Sequence, residues 1–175
     1  MMSTNRIVLE DHQWLVLYTY PNREKAAARE ANKLNIETFL PMHTEYRQWH
    51  DRVKKVQVPL FRNYVFVRPD AQQKHLIYNI NHVSHFVCSE GRPSVVHDKE
   101  IELVKALLVG NYQFETNINL RRGVPILIVN GPFAGWNGTF AEEKGKGEVL
   151  VQLPTIGHEI SIQLPKHCLQ VLSDS

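Results

Sequence analysis

Residues 14–20 and 59–68 are nearly unbroken runs of apolar residues rich in aromatic and β-branched side chains, and both predict strands, whose side chains alternate between two faces. In the first, Trp14, Val16, Tyr18 and Tyr20 share one face, and Leu15, Leu17 and Thr19 the other. The second reads Pro59-Leu60-Phe61-Arg62-Asn63-Tyr64-Val65-Phe66-Val67-Arg68 and is stopped by Pro69-Asp70. Alternation sets Tyr64 and Phe66 beside Arg62 and Arg68, opposite Phe61, Val65 and Val67. One face suits a core and the other offers two rings to a partner; burial on both faces is the plain alternative. Between the two runs, Ala26, Ala27, Glu30, Ala31 and Leu34 recur at three- and four-residue steps, which predicts a helix from Arg23 to about Lys33 with Asn22 as its cap.

A short strand over 36–40 is closed by Pro41, residues 71–78 read as a short helix, and 82–87 as a further strand. The order βαββαβ predicts an α+β domain, a four-stranded antiparallel sheet with helices on one face. Ile101, Val104, Leu107 and Leu108 then stripe a second helix, capped by Asp98 and ended by Gly110. Periodicity is lost over 109–120, where Asn111, Thr116, Asn117 and Asn119 give the composition of a linker. Beyond it, short β segments at 125–129, 139–141, 148–153, 159–164 and 169–172 are separated by Gly and Pro, and a unit of this kind most economically closes into a small all-β barrel. The expected organisation is a first domain over 9–110, a linker over 111–120 and a barrel over 121–173.

A chain of 175 residues, 43% of them hydrophobic, has room for two small cores. Its net charge of +2 gives no global basic field, so any contact with nucleic acid must come from a local patch. One such patch lies in residues 44–58, where Arg47, Arg52, Lys54 and Lys55 are interleaved with Tyr46, Trp49 and His50 in a basic hairpin or long loop. No run is long enough to span a bilayer, and residues 1–6 lead into no signal-peptide core, so a cytoplasmic protein is expected. Cys88 and Cys168 read as reduced thiols. Phosphate-loop, nucleophile-elbow and metalloprotease motifs are all absent, which speaks against an enzyme. His82, His85 and Cys88 have metal-like spacing, but on a strand His85 faces away from the other two, so neither a metal nor a cofactor is expected.

The 59–68 run partly resembles the signature of RNA-recognition modules: Arg62, Tyr64, Phe66 and Val67 match, while Asn63, Val65 and Pro69 depart. It more closely resembles the strand of NusG-type transcription elongation factors that reads phenylalanine, proline, glycine or asparagine, tyrosine, aliphatic, aliphatic or aromatic, valine. Phe61, Asn63, Tyr64, Val65, Phe66 and Val67 fit, and only Arg62 departs. Residues 123–140 look like the KOW motif that opens the C-terminal SH3-like barrel of the same family, with Gly131, Gly135 and Gly138 allowing the turn and Phe133 folding over the barrel. The aromatic strand, the 61–67 signature, the 83–87 strand and the KOW run follow in that family's order, whereas an RNA-recognition module predicts no KOW barrel. Within the family, the 59–64 and 83–87 segments are most similar to specialised antiterminators such as RfaH and the Bacteroides capsule-locus proteins.

The resemblance implies a factor that suppresses pausing or termination, and three surfaces follow from it. Val16, Tyr18, Tyr64 and Phe66, with Phe61 at the rim, would receive the clamp helices of the largest RNA polymerase subunits; burial under the barrel is the alternative. Arg47, Arg52, Lys54 and Lys55, with Trp49, would lie near upstream or nontemplate DNA, against the alternative of a solvated loop. The loop holding Ile156-Gly157 corresponds to one that meets a ribosomal protein or Rho, although relatives carry a phenylalanine near Ile156. An RNA-binding protein that stacks bases on Tyr64 and Phe66 is the rival; a ribosomal KOW protein should be far more basic than +2.

Overall fold

The computed structural model describes residues 12–110, 112, 114–116, 123–143, 146–153 and 155–172. It divides into two compact units, Met1–Asp98 and Lys99–Ser175. Residues 9–11, much of the expected linker and residue 173 lie outside the described residues.

In the first unit the chain forms β1 (Trp14–Thr19), α1 (Glu24–Lys33), β2 (Glu37–Phe39), β3 (Met42–Gln48), β4 (Val53–Pro59) and β5 (Tyr64–Arg68). A 3-10 helix (Lys74–Asn79) leads to β6 (Val83–Phe86), β7 (Cys88–Ser89), β8 (Arg92–Pro93) and β9 (Val95–Val96). The main sheet runs β2-β5-β1-β6 and is antiparallel, and β9 adds to the β1 edge beside β6. Leu15 and Leu17 of β1 and Val65 and Val67 of β5 face Ala27, Ala28 and Ala31 of α1, together with Ile36, Ile77 and Ile80. Alanine on the inner side of α1 brings the helix close to the sheet without crowding, and each larger side chain buried here contributes about 1.5–3 kcal/mol.

Two local expectations are corrected. Asn22 does not cap α1: it has φ of 60° in the preceding turn, and Arg23 occupies the capping position without a side-chain bond. The 59–68 run is not one strand, because Pro59 ends β4 and β5 begins only at Tyr64, after Asn63 with φ of 66°. Asparagine tolerates this left-handed backbone better than most residues. The reversal breaks the alternation, so Phe61 lands against Phe66, ring centroids 6.1 Å apart, instead of on the opposite face.

Three bonds hold the turn. The Asn63 N–H donates to Glu24 Oε1 at 2.8 Å, its Nδ2 donates to Tyr18 Oη at 3.1 Å, and its carbonyl accepts the Thr19 N–H at 2.7 Å.

In the second unit α2 (Asp98–Val109, within the unit from Lys99) precedes β10 (Phe114–Thr116), β11 (Val124–Ile128), β12 (Asn137–Glu143), β13 (Lys146–Leu153), β14 (His158–Ile162) and β15 (Leu169–Val171). The six strands form an antiparallel sheet in the order β10-β14-β13-β12-β11-β15. Alternate positions Ile126 and Ile128, Val149, Val151 and Leu153, and Ile160 and Ile162 are all buried, which gives the sheet one apolar face. Within the stretch expected to be linker, β10 pairs with β14.

Helix α2, expected to close the first domain, is fastened inside the second unit. Glu100 is buried and accepts from Thr155 Oγ1 at 2.7 Å and from its N–H at 3.4 Å. Lys99 Nζ donates to the Gly135 carbonyl at 3.3 Å and lies 5.1 Å from the Trp136 ring centroid. At the other end Tyr112 packs edge-on to Phe133, 4.9 Å between centroids, and its ring fills the space that a Cβ on Gly110 would need.

The Glu24 carboxylate holds the turn through a charge-assisted bond, so Glu24→Ala should cost about 1–3 kcal/mol. Urea denaturation checks this: the midpoint should fall with the slope unchanged.

Candidate functional site

The pairing of β1 with β5 assembles the aromatic face directly. Val16 stands opposite Phe66, and Tyr18 opposite Tyr64. Four of the five residues expected to bind polymerase are thus two cross-strand pairs, and the left-handed turn brings Phe61 in as the fifth. The rings form a chain: Trp14 to Phe39 at 6.5 Å, Phe39 to Phe66 at 6.0 Å, and Phe66 to Phe61. At the other end Tyr18 meets Tyr64 edge-on at 5.7 Å and stacks on His85 at 5.0 Å. Phe39 and His85 extend the face beyond the residues predicted for it. The sequence signal for His85 was its place on β6, where it pairs with Tyr18.

The face is not evenly open. Val16, Phe61 and Phe66 are 0–2% exposed, while Tyr18 and Tyr64 are half-buried. Burial raises the Tyr64 phenol above its ordinary 10.0, and the neighbouring Tyr18 adds to the effect. His82 lies 3.5 Å from Glu30 while His85 stacks on Tyr18, so the two histidines serve different contacts.

Residues 42–59 form a two-stranded hairpin that is a sheet of its own, closed by the Trp49 N–H donating to the Arg52 carbonyl at 2.8 Å. Arg47 bonds Glu45 at 3.0 Å, and Arg52 lies 3.9 Å from Asp51. Lys54 Nζ sits 4.8 Å from the Trp49 ring centroid, and Lys55 pairs across the strands with Tyr46. All five residues expected to meet nucleic acid, Arg47, Trp49, Arg52, Lys54 and Lys55, are exposed and lie at the hairpin's outer end.

In the segment that resembles a KOW motif, Gly131 and Gly135 have φ of 84° and 85°, and Phe133 is fully buried. Gly138 serves a different purpose: a Cβ there would meet the Leu150 carbonyl oxygen at 2.6 Å. Ile156 is buried at 8% exposure in the loop that Glu100 holds.

Residues 12–105 match the family described as "Transcription termination factor nusG". The chain belongs to the NusG family. A relative named transcription termination/antitermination protein NusG, from Lactococcus lactis, is 23% identical over 184 residues, covering 97% of this chain and 98% of the relative. A solved structure titled "Domain interaction in Thermotoga maritima NusG" aligns at TM-score 0.59 with 20% identity, covering 93% of this chain and 98% of that one, which is a likeness of fold. The NusG assignment sets this protein among transcription termination and antitermination factors.

A Tyr64 phenol raised above 10.0 binds its proton more tightly in the folded state than in the unfolded one. The unfolded chain therefore loses that proton first, and stability should fall as pH rises past 10.0 towards the folded value. Tyr64→Phe removes this contribution, and thermal melts across the alkaline range should show a shallower decline for the variant.

Proposed function

We propose that this NusG-family protein is a transcription elongation and antitermination factor that binds the clamp of RNA polymerase through its aromatic face. The cross-strand pairs Val16–Phe66 and Tyr18–Tyr64 carry the reading, because they place apolar area and phenol edges on one surface suited to an amphipathic helix. A factor that binds the closed clamp better than the open one shifts the enzyme away from its paused state. With Val16, Phe61 and Phe66 buried, the face must open before a clamp helix seats on it. Its apparent affinity is then lowered by the fraction of molecules that are open.

The six-stranded sheet acts, in this reading, as the SH3-like KOW barrel, and the hairpin contacts upstream or nontemplate DNA. Sequence likeness at 59–64 and 83–87 favours a specialised cytoplasmic paralogue serving selected operons. The RNA-binding rival is weakened because Phe66, one of its two stacking rings, is 2% exposed.

The test is a pull-down of core RNA polymerase with the wild type and with Tyr18→Ala plus Tyr64→Ala, after circular dichroism shows that the double variant folds. Loss of polymerase by the variant is expected. Equal retention by both proteins would move the binding site off this face.

A further inference from the structure

The six-stranded sheet of the second unit ends on β15, which pairs with β11 alone. In that pairing the Leu172 N–H donates to the Pro125 carbonyl at 3.0 Å, and the Val129 N–H to the Cys168 carbonyl at 2.8 Å. Bonded and non-bonded positions alternate along an antiparallel ladder, so residues 168, 170 and 172 turn their backbone groups towards β11. Leu169 and Val171 therefore turn their N–H and carbonyl groups outward, where no strand meets them among the described residues. Their side chains stand opposite Ile128 and Ile126, both buried, and so carry the apolar face of the sheet to its rim. That rim is open. Val171 is 62% and Leu172 38% exposed, beside Val124 at 49% and Val129 at 37%. Residues 169–172 include no charged residue and no proline, the usual devices that keep an edge strand from pairing.

We propose that the free edge of β15 is a docking site for an extended segment of a partner protein, a strand with β-branched apolar residues at alternate positions and uncharged polar residues between them. The outward N–H and carbonyl groups of Leu169 and Val171 supply the ladder bonds that give such a strand its affinity, and the apolar rim sets its pattern. Incoming residues level with Leu169 and Val171 extend the buried face and cover Val171, while those between them stand beside the Gln170 amide. Nothing on residues 169–172 selects a charge. The size of the patch decides between a peptide segment and a second copy of this chain. The exposed fractions of the four side chains leave about 300 Å² of apolar surface, whereas a stable dimer needs about 800 Å² from each copy. This surface belongs to the second unit and involves neither the aromatic face nor the hairpin. It is tested without polymerase, so its failure would leave the pull-down result standing.

The experiment is a nuclear magnetic resonance titration of the full, nitrogen-15-labelled chain with a blocked peptide of alternating threonine and valine. The Leu169 and Val171 amides should shift most and gain protection from hydrogen exchange, with a dissociation constant of about 1 mM or tighter. The same peptide N-methylated at alternate residues keeps its side chains but loses its ladder donors, and should bind about tenfold more weakly or not at all. Val171→Pro removes an outward donor that the fold does not use and should weaken binding about tenfold or more. Val171→Thr keeps that donor, and should bind more tightly than the proline variant. Circular dichroism separates loss of binding from loss of fold in both. Shifts confined to other strands, no binding at millimolar peptide, equal binding of the N-methylated peptide, or an unaffected Val171→Pro would each overturn the proposal. So would sedimentation showing that the chain alone dimerises and that Val171→Pro abolishes the dimer, which would make a second copy the occupant.

Discussion

The register between β1 and β5 settles what both sides of the first unit do. Leu15 and Leu17 stand opposite Val67 and Val65 and turn towards α1, while Val16 and Tyr18 stand opposite Phe66 and Tyr64 and turn away. A slip of one residue would exchange the two sets and put tyrosines under the helix and leucines on the aromatic face. Neither the core nor the candidate site can be altered independently of this pairing. The turn at Asn63 acts as its register pin, since it is bonded to Thr19 and Tyr18 of the β1 strand and to Glu24 of α1.

The two candidate surfaces differ in exposure. The aromatic face is apolar and largely buried, and half-buried Tyr18 and Tyr64 mark its accessible end. The hairpin is the reverse, with its rings in solvent and its side chains held mainly by one another. In the reading proposed above, the first surface needs a conformational change before it can act, while the second is already exposed.

Much of this was legible in the sequence where periodicity was uninterrupted. The period of a strand put Leu15 and Leu17 on one face, which packs in the core, and the glycines of the KOW-like run include Gly131 and Gly135, both at positive φ. What escaped was set by single backbone angles and by distant partners. Asn63 interrupts a run that looks continuous, because no pattern of hydropathy announces a left-handed residue. Glu100 of α2 meets Thr155, fifty-five positions away, and an amphipathic stripe does not reveal such a partner. Likewise, the count of four cations against Glu45 and Asp51 on the hairpin did not say which cations the two carboxylates meet: Arg47 bonds Glu45, and Arg52 lies 3.9 Å from Asp51.

Asn63 also limits what evolutionary drift can place at its position. Glycine keeps the left-handed backbone but gives up the bond to Tyr18, a modest loss. Aspartate keeps the shape of the side chain, yet it cannot donate to the phenol and brings a second carboxylate beside Glu24. Branched side chains cannot take the angle without strain. Glycine is thus the mildest of these substitutions at residue 63, and a descendant carrying it would keep the fold while holding its aromatic face one bond more loosely.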